Sequence, residues 1–288
     1  MVNGDWSGLQ RLGERLSEVG LNLSIYERKP PKYVRINPRK PLNKNQLETS
    51  LRSSLYETSV PNVFRCNNHH IGSNDYFHRG LFYISDLSSL IPVMSLGLKE
   101  SDYMLDLCAA PGVKSSFAYD LVNGDLRLFC IEKDLTRFRR MLGYFHTYGI
   151  RTYTYNQDGT EFQSKVLFDK VIVDVPCSEE GNITKLDNIL SKSQWYIENI
   201  SQIQLKLIQR GYDLLKTNGT LVYSTCALNK HENEGVVSEF LERNPNAKVD
   251  LPSISNPDIT FVKSENIIRI IPGKTKGACF TRIIKSTV

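Results

Sequence analysis

The chain has 288 residues, of which 40% are hydrophobic and 23% are charged, and it carries a net charge of +5. This length is sufficient for one large domain or for one large and one small domain. No apolar run approaches the roughly 18–20 residues that cross a bilayer, and the first residues lack the basic start and apolar stretch of a secretory signal. These features argue against a membrane or secreted protein and predict an intracellular one, either cytoplasmic or nuclear.

Cysteine and histidine usage gives no sign of a metal site or a disulfide framework. The six cysteines include no pair with CxxC spacing, and no cluster of cysteine and histidine has the spacing of zinc ligands. Disulfides are also rare in reducing compartments. We therefore expect a protein without metal and without disulfides, and we expect it to be a monomer that does not bind membranes.

Positive charge is concentrated near the amino terminus. Residues 1–70 contain 11 Lys and Arg against 6 Asp and Glu, and this difference equals the net positive charge of the whole chain. Residues 28–44 hold seven cations, no acid and one tyrosine. Such a stretch is typical of a protein that binds a phosphate backbone, although it also fits a solvated surface loop. Under the first interpretation, the residues that contact RNA are Lys29, Lys32, Arg35, Asn37 and Arg39.

Residues 1–75 are predicted to form a small α+β domain, the basic RNA-binding part of the chain. Apolar residues at helical spacing predict a helix over 6–19. A short strand is predicted over 33–37, within the Pro-rich basic stretch, and a second helix over 44–57. Residues 58–80 are rich in Asn, His and Gly, and we interpret them as a loop.

Residues 76–288 alternate between strand and helix patterns. The segment GLFYISDLSSLIPVMSL predicts a short extended stretch and then an apolar helix. Five strands follow, at 104–108, 128–132, 152–155, 171–175 and 220–224, and most are separated by helices, at 113–122, 134–148 and 193–216. Two last strands, at 267–271 and 280–284, flank the turn GKTKGA. This pattern predicts a Rossmann-like α/β domain, with a mostly parallel seven-stranded sheet and a carboxyl-terminal antiparallel hairpin.

Chemically useful groups follow four successive strands, at the edge where open α/β sheets bind ligands. The small-residue turn 109–112 lets a ligand approach the backbone, and the helix after it favours negative charge. Glu132 ends the next strand, where Rossmann-like sites hold ribose hydroxyls, and Asp158 after the third could face an adenine edge. Asp174 ends an apolar run, where an acid is buried and needs hydrogen bonds. Each acid alone would be interpreted as a helix cap or surface group, but together they predict a nucleotide-type cofactor site.

Two cysteines lie at the same predicted edge of the sheet. Cys177 occurs in VIVDVPCSEEG, and Cys226 occurs in TLVYSTCALNKHENE. A cysteine is most often an inert buried residue, and that interpretation suits the other four, Cys66, Cys108, Cys130 and Cys279. Two strand-end cysteines downstream of a nucleotide-type cofactor loop indicate covalent methyl transfer to a pyrimidine ring.

Taken together, these segments resemble the RNA cytosine-5 methyltransferases of the Sun-domain, RsmB-type group, which includes tRNA and bacterial rRNA enzymes that make 5-methylcytosine. The resemblance runs over roughly residues 33–288. VRINPRK resembles the group's Arg-x-Asn segment, and GLFYISDLSSLIPV resembles its Gly-x-x-Tyr-x-Gln-Asp segment, with Ser85 in place of Gln. MLDLCAAPGVK is similar to the cofactor loop DxCAAPGGK. DVPCSEEG, YSTCALNKHENEGVV and RIIPGKTKGACFTRIIK are similar to the two cysteine motifs and the closing hairpin.

The resemblance implies a class I methyltransferase fold, S-adenosylmethionine as methyl donor and RNA as substrate. In this group the cysteine of the STC motif, here Cys226, attacks carbon 6 of cytosine, because a thiolate is strongly nucleophilic and can leave again. Cys177 assists release, and Asp174 hydrogen-bonds the ring near nitrogen 3. The target base must be unstacked to reach them. The residues implied to line the cofactor site are Cys108, Ala109, Ala110, Pro111, Gly112, Val113, Lys114, Glu132, Asp158 and Asp174.

Two departures and three alternatives accompany this resemblance. Val113 replaces the usual second glycine of the cofactor loop, and Glu179 replaces a glycine beside the expected target base. Transfer RNA is favoured as the substrate over ribosomal RNA, weakly, by the compact layout. A DNA cytosine-5 methyltransferase would use Cys177 as its nucleophile and leave Cys226 unexplained. A catalytically silent RNA-binding or ribosome-assembly factor would have no need of both cysteines and all the site acids.

Overall fold

A computed structural model describes residues 6–27, 29–68 and 70–287 of the chain. The described strands form two sheets, one of four strands and one of nine. Both sheets are connected through a shared hydrophobic core. Over the described ranges, no helix has both the length and the apolar character that a bilayer crossing requires.

The amino-terminal part of the chain contains a four-stranded antiparallel sheet in the order β2-β3-β1-β4. Its strands are β1 (Lys32–Ile36), β2 (Leu55–Glu57), β3 (Val63–Cys66) and β4 (Phe82–Ser85). Its helices are α1 (Trp6–Ser17), α2 (Lys44–Leu51) and α3 (Asp75–His78), with short 3-10 turns at Leu23–Glu27 and Ile71–Ser73.

Two predictions for this region are wrong in detail. The helix predicted over 44–57 ends at Leu51, because Arg52 adopts a left-handed conformation with φ 49° and directs the chain into β2. The predicted loop over 58–80 contains β3, whose residues pair with both β1 and β2. Periodicity missed β3 because the strand has only four residues, too few to establish an alternating pattern.

The predicted domain boundary at residue 75 does not coincide with the edge of the small sheet. Strand β4 lies beyond that boundary, yet it pairs with β1 in register from Tyr33–Ser85 to Ile36–Phe82. Helix α1 lies before the boundary, yet its Leu12 and Leu16 are buried in the core of the large sheet. The division of the chain that sheet pairing and core packing show therefore differs from the boundary that composition predicted. Sheet pairing and core packing join residues that are distant in sequence, which composition does not register.

The nine-stranded sheet has the order β11-β12-β13-β9-β8-β5-β6-β7, and β10 pairs with the end of β13. Its strands are β5 (Tyr103–Asp106), β6 (Arg127–Ile131), β7 (Tyr153–Tyr155), β8 (Phe168–Asp174), β9 (Leu215–Thr225), β10 (Ala247–Val249), β11 (Thr260–Lys263), β12 (Ile268–Ile271) and β13 (Ala278–Lys285). The helices are α4 (Leu87–Met94), α5 (Val113–Leu121), α6 (Leu135–Tyr148), α7 (Leu186–Leu190), α8 (Gln194–Asp213) and α9 (Val236–Arg243), with a π turn at His231–Gly235.

The predicted α/β architecture of this part is confirmed. Strands β5, β6, β7, β8 and β9 are parallel, and β12 and β13 form the expected antiparallel hairpin against β9. Two short strands that the sequence analysis did not predict, β10 and β11, extend the sheet from seven strands to nine. Both lie at the margins of the sheet, where strands of three or four residues give little pattern for sequence analysis.

Residues of the central strands alternate between two apolar layers, as the period of two in a strand requires. Met104 and Ile172 belong to the layer that contains α4, α5 and α6, whereas Leu105 and Val171 belong to the layer that contains α1, α8 and α9. One face of the small sheet joins the first layer, and its other face has a separate core with α2. Both faces of the central parallel strands are thus covered.

Candidate active site

A cavity of about 1020 Å³ lies at the carboxyl ends of the central parallel strands. Its walls come from the loops after β5, β8 and β9, from the corner between β4 and α4, and from the turn between β12 and β13. Most of the predicted cofactor-loop residues line it, as do all three predicted catalytic residues. The predicted residues in its wall are Cys108, Ala109, Ala110, Pro111, Val113, Lys114, Asp174, Cys177 and Cys226.

The loop after β5 is shaped by one glycine. Gly112 adopts a φ of 105°, a conformation that side chains disfavour, and a Cβ on it would lie 2.7 Å from the ring of Phe145. Glycine is therefore required at this turn. Val113, which replaces the glycine usual in the group, is the first residue of α5. A helical position needs no glycine, so the loop tolerates this substitution.

Asp106 is a functional candidate that the sequence analysis missed. It ends β5, is only 1% exposed, and accepts a 2.5 Å hydrogen bond from Ser115 Oγ. Burial, reinforced by the nearby charge of Asp174, raises the pKa of Asp106 to about 7, although the Ser115 hydrogen bond lowers it. The signal that identified Glu132 and Asp174, an acid at a strand end, was equally present in MLDLC.

Asp174 forms an ion pair with Lys114 in the cavity wall. Lys114 Nζ lies 2.8 Å from one carboxylate oxygen of Asp174, and Ser224 Oγ donates a 2.7 Å hydrogen bond to the other. Burial alone would lower the pKa of Lys114, but the charges of Asp174 and Cys226 outweigh that effect and raise it. Asp174 is half-buried rather than buried, so its hydrogen-bonded carboxylate faces the cavity.

Cys177 and Cys226 meet across the cavity, with their Sγ atoms 2.9 Å apart. Cys177 is buried, and Cys226 is half-buried. The hydrogen bond with Cys226, together with burial, raises the pKa of Cys177 well above its usual value. Cys177 therefore keeps its proton at neutral pH and can donate it toward the sulfur of Cys226.

The loop of Cys177 and the loop of Cys226 are held together by carboxylates. Each loop supplies one carboxylate that accepts hydrogen bonds from the backbone of the other loop. Glu232, which follows Cys226, accepts a 2.9 Å hydrogen bond from the backbone N–H of Ser178, next to Cys177. Glu180, which follows Cys177, accepts from the backbone N–H groups of Leu228 and Asn229 at 3.0 and 2.8 Å. Hydrogen bonds to ionised groups are stronger than neutral ones, so this exchange fixes the distance between the thiols.

Helix α1 supports the same arrangement from outside the cavity. Arg15 of α1 forms a buried ion pair with Glu180 at 2.8 Å, and Tyr26 donates a 2.8 Å hydrogen bond to the Glu180 carbonyl. Because Leu12 and Leu16 anchor α1 in the large core, the amino-terminal helix serves to position the loop of Cys177.

Glu132 and Asp158 lie further from the cavity than the sequence predicted, since neither belongs to the described residues that line it. Glu132 is buried, and its Oε1 accepts from the N–H of Asp134 at 2.9 Å. Its Oε2 has no hydrogen-bond partner among the described residues and lies 3.5 Å from Arg137, which does line the cavity. Asp158 pairs with Lys133 at 2.6 Å. Glu132 is thus paired with a residue of the cavity wall, whereas Asp158 is paired with a lysine that does not line it.

Of the residues expected to contact RNA, Arg35 and Asn37 are buried, and Arg39 is partly buried and paired with an acid. Arg35 is 1% exposed, pairs with Asp120 of α5 and donates a 2.9 Å hydrogen bond to Ser116. Asn37 is fully buried and donates to the carbonyl oxygen of Gly80 at 2.8 Å.

Arg39 pairs with the same Asp120 and also donates to the Tyr83 hydroxyl at 2.6 Å. Through these hydrogen bonds, the three side chains join β1 and the residues after it to α5 and to the region around β4. They tie the small sheet to the helix that follows the cofactor loop.

Lys29 and Lys32, by contrast, line the cavity. Three further cations line it that sequence analysis did not single out: Arg137 on α6, Lys192 before α8 and Lys276 in the hairpin turn. No short motif marked them, because they come from distant segments that only the fold brings to one opening. Among the described residues, no three His, Cys, Asp or Glu side chains converge in the manner of a metal site.

A mixed sheet of this topology, with a small-residue loop after the first parallel strand and a cavity at the strand ends, defines a Rossmann-like class I methyltransferase fold. Residues 93–282 match the model of the family described as 16S rRNA methyltransferase RsmB/F, and the chain belongs to that family. The resemblance drawn from the sequence motifs is thereby confirmed.

Individual relatives agree with this assignment. The chain is 35% identical to the 26S rRNA (cytosine-C(5))-methyltransferase nsun-1 of Caenorhabditis elegans, over 66% of this chain and 28% of that protein. It is 35% identical to the ribosomal RNA small subunit methyltransferase F of Shewanella oneidensis, over 62% and 38%. A solved methyltransferase homolog from Pyrococcus horikoshii superposes with a TM-score of 0.78 and 25% identity, over 97% and 98% of the two chains. The chain thus spans about a third of the length of these two curated relatives.

Proposed function

We propose that the chain transfers a methyl group from S-adenosylmethionine to carbon 5 of cytosine in RNA, through a covalent adduct with Cys226. The observation that carries the proposal is the pair of thiols 2.9 Å apart in a cavity that also contains the Asp174–Lys114 pair. Membership of the RsmB/F family supports the same chemistry.

The residues around the loop after β5 fit this methyl donor. When bound, S-adenosylmethionine supplies a methyl group on a positively charged sulfur. The carboxylate of Asp174 in the cavity wall favours such a cation. Glu132 would hold the ribose hydroxyls, because its Oε2 is buried without a hydrogen-bond partner among the described residues, and Arg137 would move aside. Asp158 would lie near the adenine.

Cys226 is the better nucleophile of the two cysteines. It is the more exposed of the pair, and Cys177, which retains its proton, can stabilise a Cys226 thiolate by a hydrogen bond. The Lys114 ammonium, whose raised pKa reflects the charges of Asp174 and Cys226, keeps its proton beside that thiolate. Attack of Cys226 on carbon 6 makes carbon 5 electron-rich, and loss of the carbon-5 proton after methylation lets the thiolate leave.

Asp174 and Cys177 would complete the site. Asp174, positioned by Lys114 and Ser224, would hydrogen-bond the cytosine ring near nitrogen 3 and hold the proton that offsets the negative charge developing there. Cys177 would assist release of the methylated base, because its sulfur lies beside the position of the adduct.

The choice of RNA is a separate proposal. The relatives named above are, by their names, ribosomal RNA methyltransferases, whereas the compact chain favoured transfer RNA only weakly. We therefore propose ribosomal RNA as the first substrate to test. The amino-terminal region would contribute Lys29 and Lys32 to the cavity mouth, where they would contact phosphates.

Two measurements test the proposal. Purified protein is incubated with S-adenosylmethionine labelled in the methyl group and with ribosomal RNA, transfer RNA or duplex DNA in separate reactions. Bisulfite sequencing of total RNA from cells with and without the gene then locates the cytosine. We expect label in ribosomal RNA and one protected cytosine that depends on the gene. Label in DNA alone, or RNA binding without any transfer, would refute the proposed activity, and label in transfer RNA alone would refute only the choice of substrate.

A further inference from the structure

Trp195 is an unusually exposed aromatic side chain. It is 71% exposed, whereas the other exposed large hydrophobic side chains of the described residues range from 37% to 55%. It occupies the first turn of α8, which Ser193 caps by accepting from the N–H of Tyr196. Neither the cap nor the buried face of α8 requires an indole at this position, so the ring has no structural role in the fold described here.

Trp195 adjoins the wall of the active-site cavity in sequence. The next residue, Tyr196, lines the cavity, and its hydroxyl lies 3.5 Å from the carbonyl oxygen of Cys177. Three residues earlier in the chain, Lys192 also lines the cavity, with its Nζ 4.5 Å from the centre of the Tyr196 ring. Two residues of the cavity wall, Lys192 and Tyr196, therefore flank Trp195 in sequence. Of these, Tyr196 approaches the loop that contains Cys177.

Four lysines besides Lys114 line this opening, where an anionic ligand would meet them, together with the acids Glu27, Asp86 and Glu179. Lys29, Lys32, Lys192 and Lys276 all line the same cavity. Glu179 is an acid in the wall, but Lys185 lies 3.6 Å from its carboxylate and Asn188 donates to it at 2.6 Å. Glu198, on the next turn of α8, accepts a hydrogen bond from Gln194 at 3.2 Å. Cations close to an exposed aromatic ring are the combination by which proteins hold single-stranded nucleic acid.

A protein partner is a poorer match for this surface. On α8, Ile203 is the other exposed large hydrophobic residue of the described helix, and it lies more than two turns from Trp195. A stable protein interface normally buries about 800 Å² on each partner. One indole surrounded by charged and polar residues offers much less apolar area, whereas it matches the face of a single base.

We propose that Trp195 is a stacking platform for an RNA base that flanks the target cytosine, and that Lys192 contacts the adjoining phosphate. This inference rests on the proposed function for the identity of the ligand. When the target base leaves its stack to enter the cavity, a neighbouring base loses a stacking partner. Trp195 would replace that partner and hold the strand at the mouth of the cavity.

Fluorescence isolates the contribution of Trp195. The chain contains two tryptophans, so the difference between the wild type and Trp195→Phe reports the Trp195 indole alone. The probe is a twelve-nucleotide oligocytidylate RNA, and inorganic polyphosphate, which has charge but no bases, is the control ligand. We expect saturable quenching by the oligonucleotide that disappears in Trp195→Phe, and little quenching by polyphosphate. Equal quenching by both ligands, or quenching that persists in Trp195→Phe, would overturn the proposal.

Affinity provides the second test. Stacking of a base on an aromatic side chain corresponds to roughly 5- to 150-fold in affinity, so we expect Trp195→Ala to weaken binding of the oligonucleotide by a factor in that range. Trp195→Phe, which keeps an aromatic face, should lose much less. The matched control is Tyr153→Ala, since Tyr153 is 55% exposed on β7 at the far edge of the large sheet. All three variants should bind S-adenosylmethionine as the wild type does.

The two proposals can fail independently. If the wild type transfers methyl groups to RNA but Trp195→Ala leaves both RNA affinity and the KM for RNA unchanged, the stacking platform is refuted and the enzymatic activity stands. If the oligonucleotide quenches Trp195 but no methyl transfer occurs with any RNA, the activity is refuted and the binding surface stands.

Discussion

The Sγ atoms of Cys177 and Cys226 lie 2.9 Å apart, although 49 positions separate the two residues in the chain. They meet because β8 and β9 are neighbouring parallel strands, paired through Asp174 and Ser224, so that both strands end at the same edge. The backbone hydrogen bonds to Glu180 and Glu232 then hold the two loops against each other. A single pyrimidine ring at this edge would be in reach of both thiols.

The first prediction separates the roles of these cysteines. Cys226→Ala should abolish both methyl transfer and any covalent protein–RNA adduct, because the attacking thiol is gone. Cys177→Ala should still form the adduct and accumulate it, because release is impaired. Denaturing gel electrophoresis of protein incubated with RNA and S-adenosylmethionine distinguishes the two variants. The reverse pattern, with trapping lost in Cys177→Ala and retained in Cys226→Ala, would indicate the DNA-type mechanism.

A second prediction concerns Glu132 and the methyl donor. Glu132→Ala should weaken S-adenosylmethionine binding by about 1–3 kcal/mol, the scale of a hydrogen bond to a charged group. Calorimetry measures the affinity, and circular dichroism checks that the fold is retained. Asp169→Ala is the matched control, because Asp169 is a carboxylate of the same sheet that pairs with Lys216 outside the cavity. An unchanged affinity in a folded Glu132→Ala protein would remove Glu132 from the cofactor site.

The third prediction is a dependence of stability on pH that arises from Asp106. Its pKa is raised from 3.8 to about 7 in the folded protein, so between these values the folded state binds more protons than the unfolded state. The Asp106 contribution to the free energy of unfolding is therefore greatest below about pH 4 and falls as the pH rises to about 7, by at most about 1.4 kcal/mol per pH unit. Above about pH 7 it is constant.

Urea unfolding of the wild type and Asp106→Asn between pH 4 and pH 8 measures this contribution. Other titrating groups, such as Glu232, whose pKa is also raised by burial, affect both proteins alike. The wild-type stability should decline relative to that of Asp106→Asn as the pH rises to about 7. Parallel curves for the two proteins over this range would show that Asp106 is already ionised at low pH.

The last prediction distinguishes structural cations from those that face the cavity. Arg35→Ala should lower the free energy of unfolding by about 3–5 kcal/mol, because it removes one buried partner of Asp120. The double variant Lys29→Ala and Lys32→Ala should fold normally and reduce the salt dependence of RNA binding, by about 0.7 in slope for each lost phosphate contact. Chemical denaturation and binding titrations at several salt concentrations measure both effects. An unchanged salt slope in the lysine variant would place the RNA elsewhere on the surface.

Much of the large sheet and of the site chemistry could be predicted from local pattern. The alternation of apolar strands with helical segments identified the five parallel strands and the closing hairpin. Parallel strands that are buried on both faces have nearly continuous apolar sequences, which makes them easy to recognise. The motifs around Cys177, Cys226 and the loop before α5 identified the chemistry, because their residues are close together in the chain. Short strands such as β3, β10 and β11 were missed, since three or four residues carry almost no periodicity.

Tertiary structure decided which charges are available to a ligand. In the sequence, Lys29, Lys32, Arg35 and Arg39 form one basic stretch, yet the fold turns the arginines toward Asp120 and leaves the lysines at the cavity. It likewise brings Lys192 and Lys276 to one cavity from segments that no motif connects. A side chain's partner, burial and pKa depend on residues far away along the chain. Composition and spacing therefore identified the types of group in the site, and packing alone determined which of them meet.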